Sequence, residues 1–172
     1  MKTVIVYSSK TGNTRKVADA IHEVVEGSEI KCCKENLEKE YDLYILGGWI
    51  DRATFDSGML KFVENIKDKK VAYFFTLGAE PDSKHAQDCR DNIEKLLLEN
   101  GNEILGNFCC QGAIDPKLID WMLKLPSDHH MAPNEARKNR WKVAASHPDQ
   151  EDLERAKEVF ENIVKKIGGE IC

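Results

Sequence analysis

Residues 2–26 constrain this chain more than any other stretch. Lys2-Thr-Val-Ile-Val-Tyr7 is a β-branched run, and Thr3–Ser8 reads as a strand buried on both faces. It passes without a spacer into Ser8-Ser-Lys-Thr-Gly-Asn-Thr14, and then into a helix expected over Arg15–Glu26. A strand, a tight turn and a helix in that order aim backbone N–H groups, backed by the positive end of the helix dipole, at one point. Ser8, Ser9, Thr11 and Thr14 add hydroxyl donors, and Gly12 allows close approach or a positive φ. The anion is specified too. A nucleoside triphosphate site needs a Lys before the last Ser/Thr, but Asn13 stands there, and no Gly-x-Gly-x-x-Gly is present for a pyrophosphate. One terminal phosphate held by neutral donors fits best.

The rest of the chain alternates strand and helix. Glu29–Cys33, Asp42–Trp49, Lys70–Leu77 and Glu103–Gln111 read as further strands, and Gly47-Gly48, Gly78 and Gly112 end the last three. Helical spacing marks Met59–Ile66, a long helix from the Ser83 cap to Asn100 with Gly101 as its stop, and Pro148–Ile167. Five such units imply an α/β fold, a doubly wound five-stranded parallel sheet with helices on both faces. Ligands on such sheets bind beyond the strand carboxyl ends. Three glycine-containing segments lie there: 8–14, 47–58 and 76–82.

Residues 1–172 fit one domain, with an added helical segment at about 115–148 that is too long for a plain connector. Helices are expected at Pro116–Leu125 and Asn134–Ala145. The segment carries six Lys/Arg against four Asp/Glu, although the whole chain has a net charge of −5. That acidity argues against nucleic acid as a partner and is compatible with docking on a basic face of another protein. No apolar run is long enough for a membrane span, and no leader pattern opens the chain, so a cytoplasmic location is expected. The six cysteines form no Cys-x-x-Cys and read as buried, reduced thiols. His129-His130 lacks carboxylate or Cys partners, so no metal is expected.

The chain resembles the flavodoxin family over nearly all of its length. The resemblance rests on Ser9-x-Thr11-Gly12-Asn13-Thr14, which matches the family's phosphate-loop signature residue for residue. It implies strand order 2-1-3-4-5 and FMN as the cofactor, with the phosphate on Ser9, Lys10, Thr11, Gly12, Asn13 and Thr14. Gly48, Trp49, Ile50 and Asp51 match the loop against one face of the flavin ring. Trp49 is the expected stacking aromatic and Phe55 its rival. Gly48, or else Gly47, is the expected peptide that turns its carbonyl toward the ring. Thr76, Leu77, Gly78 and Ala79 match the second ring loop, although no aromatic stands where flavodoxins often place a Tyr. His85 reads as a surface residue.

The implied function is an FMN-binding electron carrier between a reductase and a redox enzyme. Apolar and acidic surroundings would lower the potential of its more reduced couple. The alternative is an FMN-dependent oxidoreductase with a quinone or tetrapyrrole substrate. No catalytic residue is assigned. Residues 115–148 discriminate the two: an apolar pocket over the ring through Trp121, Met122 and Trp141 favours the enzyme, and a position away from it favours the carrier.

Overall fold

The computed structural model describes residues 1–169. Its strands are β1 (Thr3–Tyr7), β2 (Glu29–Cys32), β3 (Leu43–Asp51), β4 (Thr54–Phe55), β5 (Lys70–Leu77) and β6 (Glu103–Gln111). Its helices are α1 (Asn13–Val24), α2 (Ser57–Val63), α3 (Lys84–Glu99), α4 (Pro116–Met122), α5 (Glu135–Ala144) and α6 (Gln150–Gly169).

The sheet runs β2-β1-β3-β5-β6, and all of these pairs are parallel. This is the expected order once β4, a two-residue strand antiparallel to the end of β3, is counted separately. β5 and β6 have the expected bounds, and Ser83 caps α3 by accepting from Ala86 N–H at 3.2 Å.

The sheet divides the core in two. On one face α2 and α3 cover Val4, Val6, Leu46, Tyr73 and Phe75. On the other, α1 and α6 cover Ile5, Ile45, Ala72 and Phe74. The central strands are buried on both faces, which is why they read as unbroken apolar runs. Gly47 and Gly48 do not end β3; they lie inside it. A Cβ on Gly47 would fall 2.0 Å from Phe74 Cζ, and one on Gly48 would fall 2.5 Å from Phe55 Cδ1. The two glycines let one phenyl ring settle onto each face of the strand.

β3 and β4 are joined by Arg52-Ala53, both at positive φ (51° and 60°). Two-residue hairpins of this hand normally use Asn or Gly. Here Asn92 Nδ2 donates to Ala53 O at 2.9 Å and braces the turn from α3. Nothing in the residue types announced this hairpin.

Residues 115–148 do form two helices, α4 and α5, capped by Asp115 and Asn134. α6 starts at Gln150 rather than Pro148. Asp149 Oδ1 accepts from Asp152 N–H at 3.0 Å, and Asp152 Oδ2 accepts from Asp149 N–H at 3.1 Å, a reciprocal cap. Among the described residues, no helix is long and apolar enough to cross a membrane.

Candidate functional site

α1 differs from its neighbours at its N-terminus. α2, α3, α4 and α5 each begin under a side chain that accepts from first-turn amides. α1 begins at Gly12, with φ 96°, and has no side-chain cap and no acidic residue in its first turn. Its first amides are left for an outside acceptor. Positive φ is why a glycine is needed there. Ser9 Oγ accepts from Gly12 N–H at 3.1 Å and closes the turn. Thr14 Oγ1 lies 2.9 Å from Thr76 Oγ1, linking the first loop to the end of β5. Asn13 Nδ2 donates to Ala113 O at 2.9 Å, linking it to the end of β6. Ser8 plays a different part from the one its residue type suggested. Its hydroxyl donates to buried Asp56 Oδ1 at 2.7 Å and ties β1 to the start of α2.

A cavity of about 490 Å³ opens where these loops meet. Of the residues expected in a site, it is lined by Lys10, Thr11, Asn13, Thr14, Trp49, Ile50, Thr76, Leu77, Gly78 and Ala79. Ser9, Gly12, Gly48 and Asp51 are not in its wall. Ser9 and Gly12 shape the turn from behind, Gly48 sits in the sheet under Phe55, and Asp51 is exposed at the hairpin. Gly48 is paired in register with Phe75, and Gly47 with Phe74, so turning either peptide would disturb the ladder. Phe55, the rival stacking aromatic, is fully buried and packs edge-on against Tyr73. Trp49 remains at the cavity, with Lys10 Nζ 5.8 Å from its ring centroid. His85 is exposed, as expected, and also joins the lining, as do Gly112, Ala113 and Ile114.

The opposite wall comes from the added segment. Leu118 and Met122 of α4, Met131, and Arg137, Arg140 and Trp141 of α5 all line the cavity. Met122 and Trp141 are inside, as one expectation had it. Trp121 is not; it is 47% exposed and stands edge-on to His129. Lys10 Nζ pairs with Asp115 Oδ2 at 2.9 Å, which joins the first loop to the N-cap of α4. The hydrogen bond from Lys10 holds the Asp115 carboxyl below the usual carboxylate range. Arg137 donates to Ala132 O at 2.5 Å and His130 O at 3.2 Å, so its position is fixed. The charged lining is therefore mainly basic, against the expectation of acidic surroundings.

None of the five described cysteines lines the cavity. Burial pushes the Cys89 thiol up to about 11, and it also raises Cys109 and Cys110. Cys32 and Cys33 are half-buried and free; Cys172 lies outside the described residues. His147, Asp149 and Asp152 bring three possible ligand atoms together. Their mutual hydrogen bonds, including His147 Nδ1 to Asp152 Oδ2 at 2.5 Å, account for them as the clasp at the start of α6.

Comparison with known proteins shows the family and the fold. The family described as Flavodoxin domain matches residues 4–161, and the chain belongs to it. A flavodoxin-like domain-containing protein of Clostridioides difficile, BilS, is 35% identical over 96% of this chain and 98% of its own. The fold matches an oxidised flavodoxin 2 from Bacillus cereus, with a TM-score of 0.62 and 20% identity over 96% and 99% of the two chains. It also matches a flavoprotein from Lactobacillus acidophilus solved in complex with FMN, with a TM-score of 0.54 and 18% identity over 70% and 97%.

Proposed function

We propose that this chain is an FMN-dependent electron carrier that exchanges electrons with partner proteins, a reductase on one side and a redox enzyme on the other. One observation carries the reading. The uncapped first turn of α1 opens into the same cavity as Trp49 and the 76–79 loop. The residues present fit FMN. Backbone amides and the Thr11, Asn13 and Thr14 side chains suit its phosphate, and Lys10 adds a positive charge. Trp49 and Ile50 offer one apolar wall for the ring, with Thr76, Leu77, Gly78 and Ala79 beside it. Bound FMN would supply the redox chemistry; the chain holds and orients it and limits its access to water.

The second reading, an oxidoreductase that acts on a small molecule such as a quinone or tetrapyrrole, has its own support. α4 and α5 cover the cavity rather than lying away from it, and Met122 and Trp141 make that wall apolar. Trp121, the third residue that this reading calls for, stays outside the cavity and exposed, which keeps the carrier reading first.

An anaerobic reductive titration of FMN-loaded protein tests the choice. Reduction in two one-electron stages, with rapid turnover through a partner protein and none with free quinone, is the expected result. Direct two-electron reduction with quinone turnover would move the assignment to the enzyme. Failure to bind FMN would overturn both.

A further inference from the structure

The distribution of charge carries a consequence for docking. Outside residues 115–148 the chain has a net charge of −7; inside them it is +2. At the cavity the imbalance is sharper. The charged lining is Lys10, Arg137, Arg140 and a single carboxylate, Asp115, which is already paired with Lys10 at 2.9 Å. Arg137 spends its donors on two backbone carbonyls, which fix the side chain and leave its charge uncompensated. Arg140, three residues along α5, is exposed and has no ion-pair partner among the described residues. The carboxylates that follow the other two loops, Asp51, Glu80 and Asp82, are exposed and do not line the cavity. Beside this basic rim α4 exposes Leu118 (40%) and Trp121 (47%), with Lys117 and Lys124 at either side and the one carboxylate Asp120 between them.

We infer that the α4–α5 face around the cavity mouth docks a redox protein through an acidic patch on that partner, opposite to the sign that the net charge suggests. This rests on the carrier reading above. At physiological salt the screening length is ~8 Å, so the distant negative charge is damped while charges at the mouth steer the encounter. Rim charges act chiefly on the association rate and orientation, whereas an exposed Trp such as Trp121 is the kind of side chain that anchors an interface.

Two measurements test it. In the first, FMN-loaded protein is reduced with dithionite and then oxidised by hexacyanoferrate(III), an anion, or by hexaammineruthenium(III), a cation. Each metal complex accepts one electron from the reduced protein. The expected result is a hexacyanoferrate rate that falls with ionic strength and a ruthenium rate that rises. Arg140→Glu should slow hexacyanoferrate about tenfold at low salt. The reverse salt dependence in the unaltered protein would overturn the inference.

The second measurement needs no flavin. Polyglutamate is titrated into ¹⁵N-labelled protein, with polylysine as the contrast. Amide shifts confined to Lys117–Lys124 and Arg137–Lys142, lost in Arg140→Glu, are expected. Shifts elsewhere, or polylysine shifts on this face, would overturn it. A hexacyanoferrate effect without polyglutamate shifts would assign the arginines to a small anionic substrate and also overturn it. Polyglutamate shifts in a chain that fails to bind FMN would remove the carrier function yet support the acidic-partner surface.

Discussion

Residues 8–14 reach the cavity with backbone amides and short side chains fixed to the sheet. Residues 115–148 reach it with long side chains on two helices outside the sheet. The first wall gains its free amides locally, from a strand and a helix joined by a tight turn, and distant partners, Ala113 and Thr76, only hold its side chains in place. The second wall has chemistry only because the chain returns to the same place about a hundred residues later. The difference separates the parts of a site that bind by construction from those that bind by placement.

The hardest blow to the first wall is the double substitution Asn13→Ala with Thr14→Ala. On the proposed function each removes a donor to the FMN phosphate, worth roughly 1.5–3 kcal/mol, so FMN affinity should fall about 10²–10⁴-fold in a fluorescence titration. Affinity for riboflavin, which has no phosphate, should change little. Equal losses for both ligands would break the assignment of the loop to the phosphate.

Trp141→Ala tests the second wall. Truncating a buried aromatic costs about 3 kcal/mol, here drawn from α4 and α5 alone. Amide exchange over residues 116–144 should speed up roughly a hundredfold while β1, β3 and β5 keep their protection. Loss of protection in the sheet would mean that the two walls fold as one unit.

Gly47→Ala addresses the floor on which the first wall stands. With Phe74 Cζ 2.0 Å from the new methyl, the ring must move, at a cost of about 1–3 kcal/mol, read as a lower Tm. An unchanged Tm would show that the packing around Gly47 can yield.

The smallest effect is expected at the junction of the walls. Asp115→Asn removes a pair in which Lys10 is exposed and the carboxylate is largely covered. The folded-state carboxyl is lowered, so its stabilisation is present above the ordinary carboxylate value, about 3.9, and is lost as pH falls through the lowered one. The variant should be slightly less stable than the parent at neutral pH, and the two should converge in acid. A difference that persists below both values would assign the effect to the cap on Lys117 N–H rather than to the ion pair.

What the sequence disclosed follows the same division. The core strands, the Ser83 cap and the Gly101 stop were legible because each depends on neighbours in the chain. So was the turn into α1 at Gly12. Ser8 was misread because its partner, Asp56, comes forty-eight residues later. Gly47 and Gly48 were taken for strand ends because the rings that need the space, Phe74 and Phe55, come from other strands. The Arg52-Ala53 turn left no trace in residue type, since its brace is Asn92. The basic character of 115–148 was visible, but not that Arg137 and Arg140 would face the cavity.

Ala113 N–H donates to His147 O at 2.8 Å, and the Asp149–Asp152 clasp fastens the chain just beyond. The excursion through α4 and α5 therefore departs and returns at one seam. In engineering terms it is a cartridge. A short turn spliced from 113 to 147 would close the chain without displacing a strand, and a foreign cap seated at the same seam would meet an unaltered first wall. Specificity for a partner could then be exchanged while the phosphate loop is left alone, provided the new cap also supplies the cavity wall that Met122 and Trp141 now make.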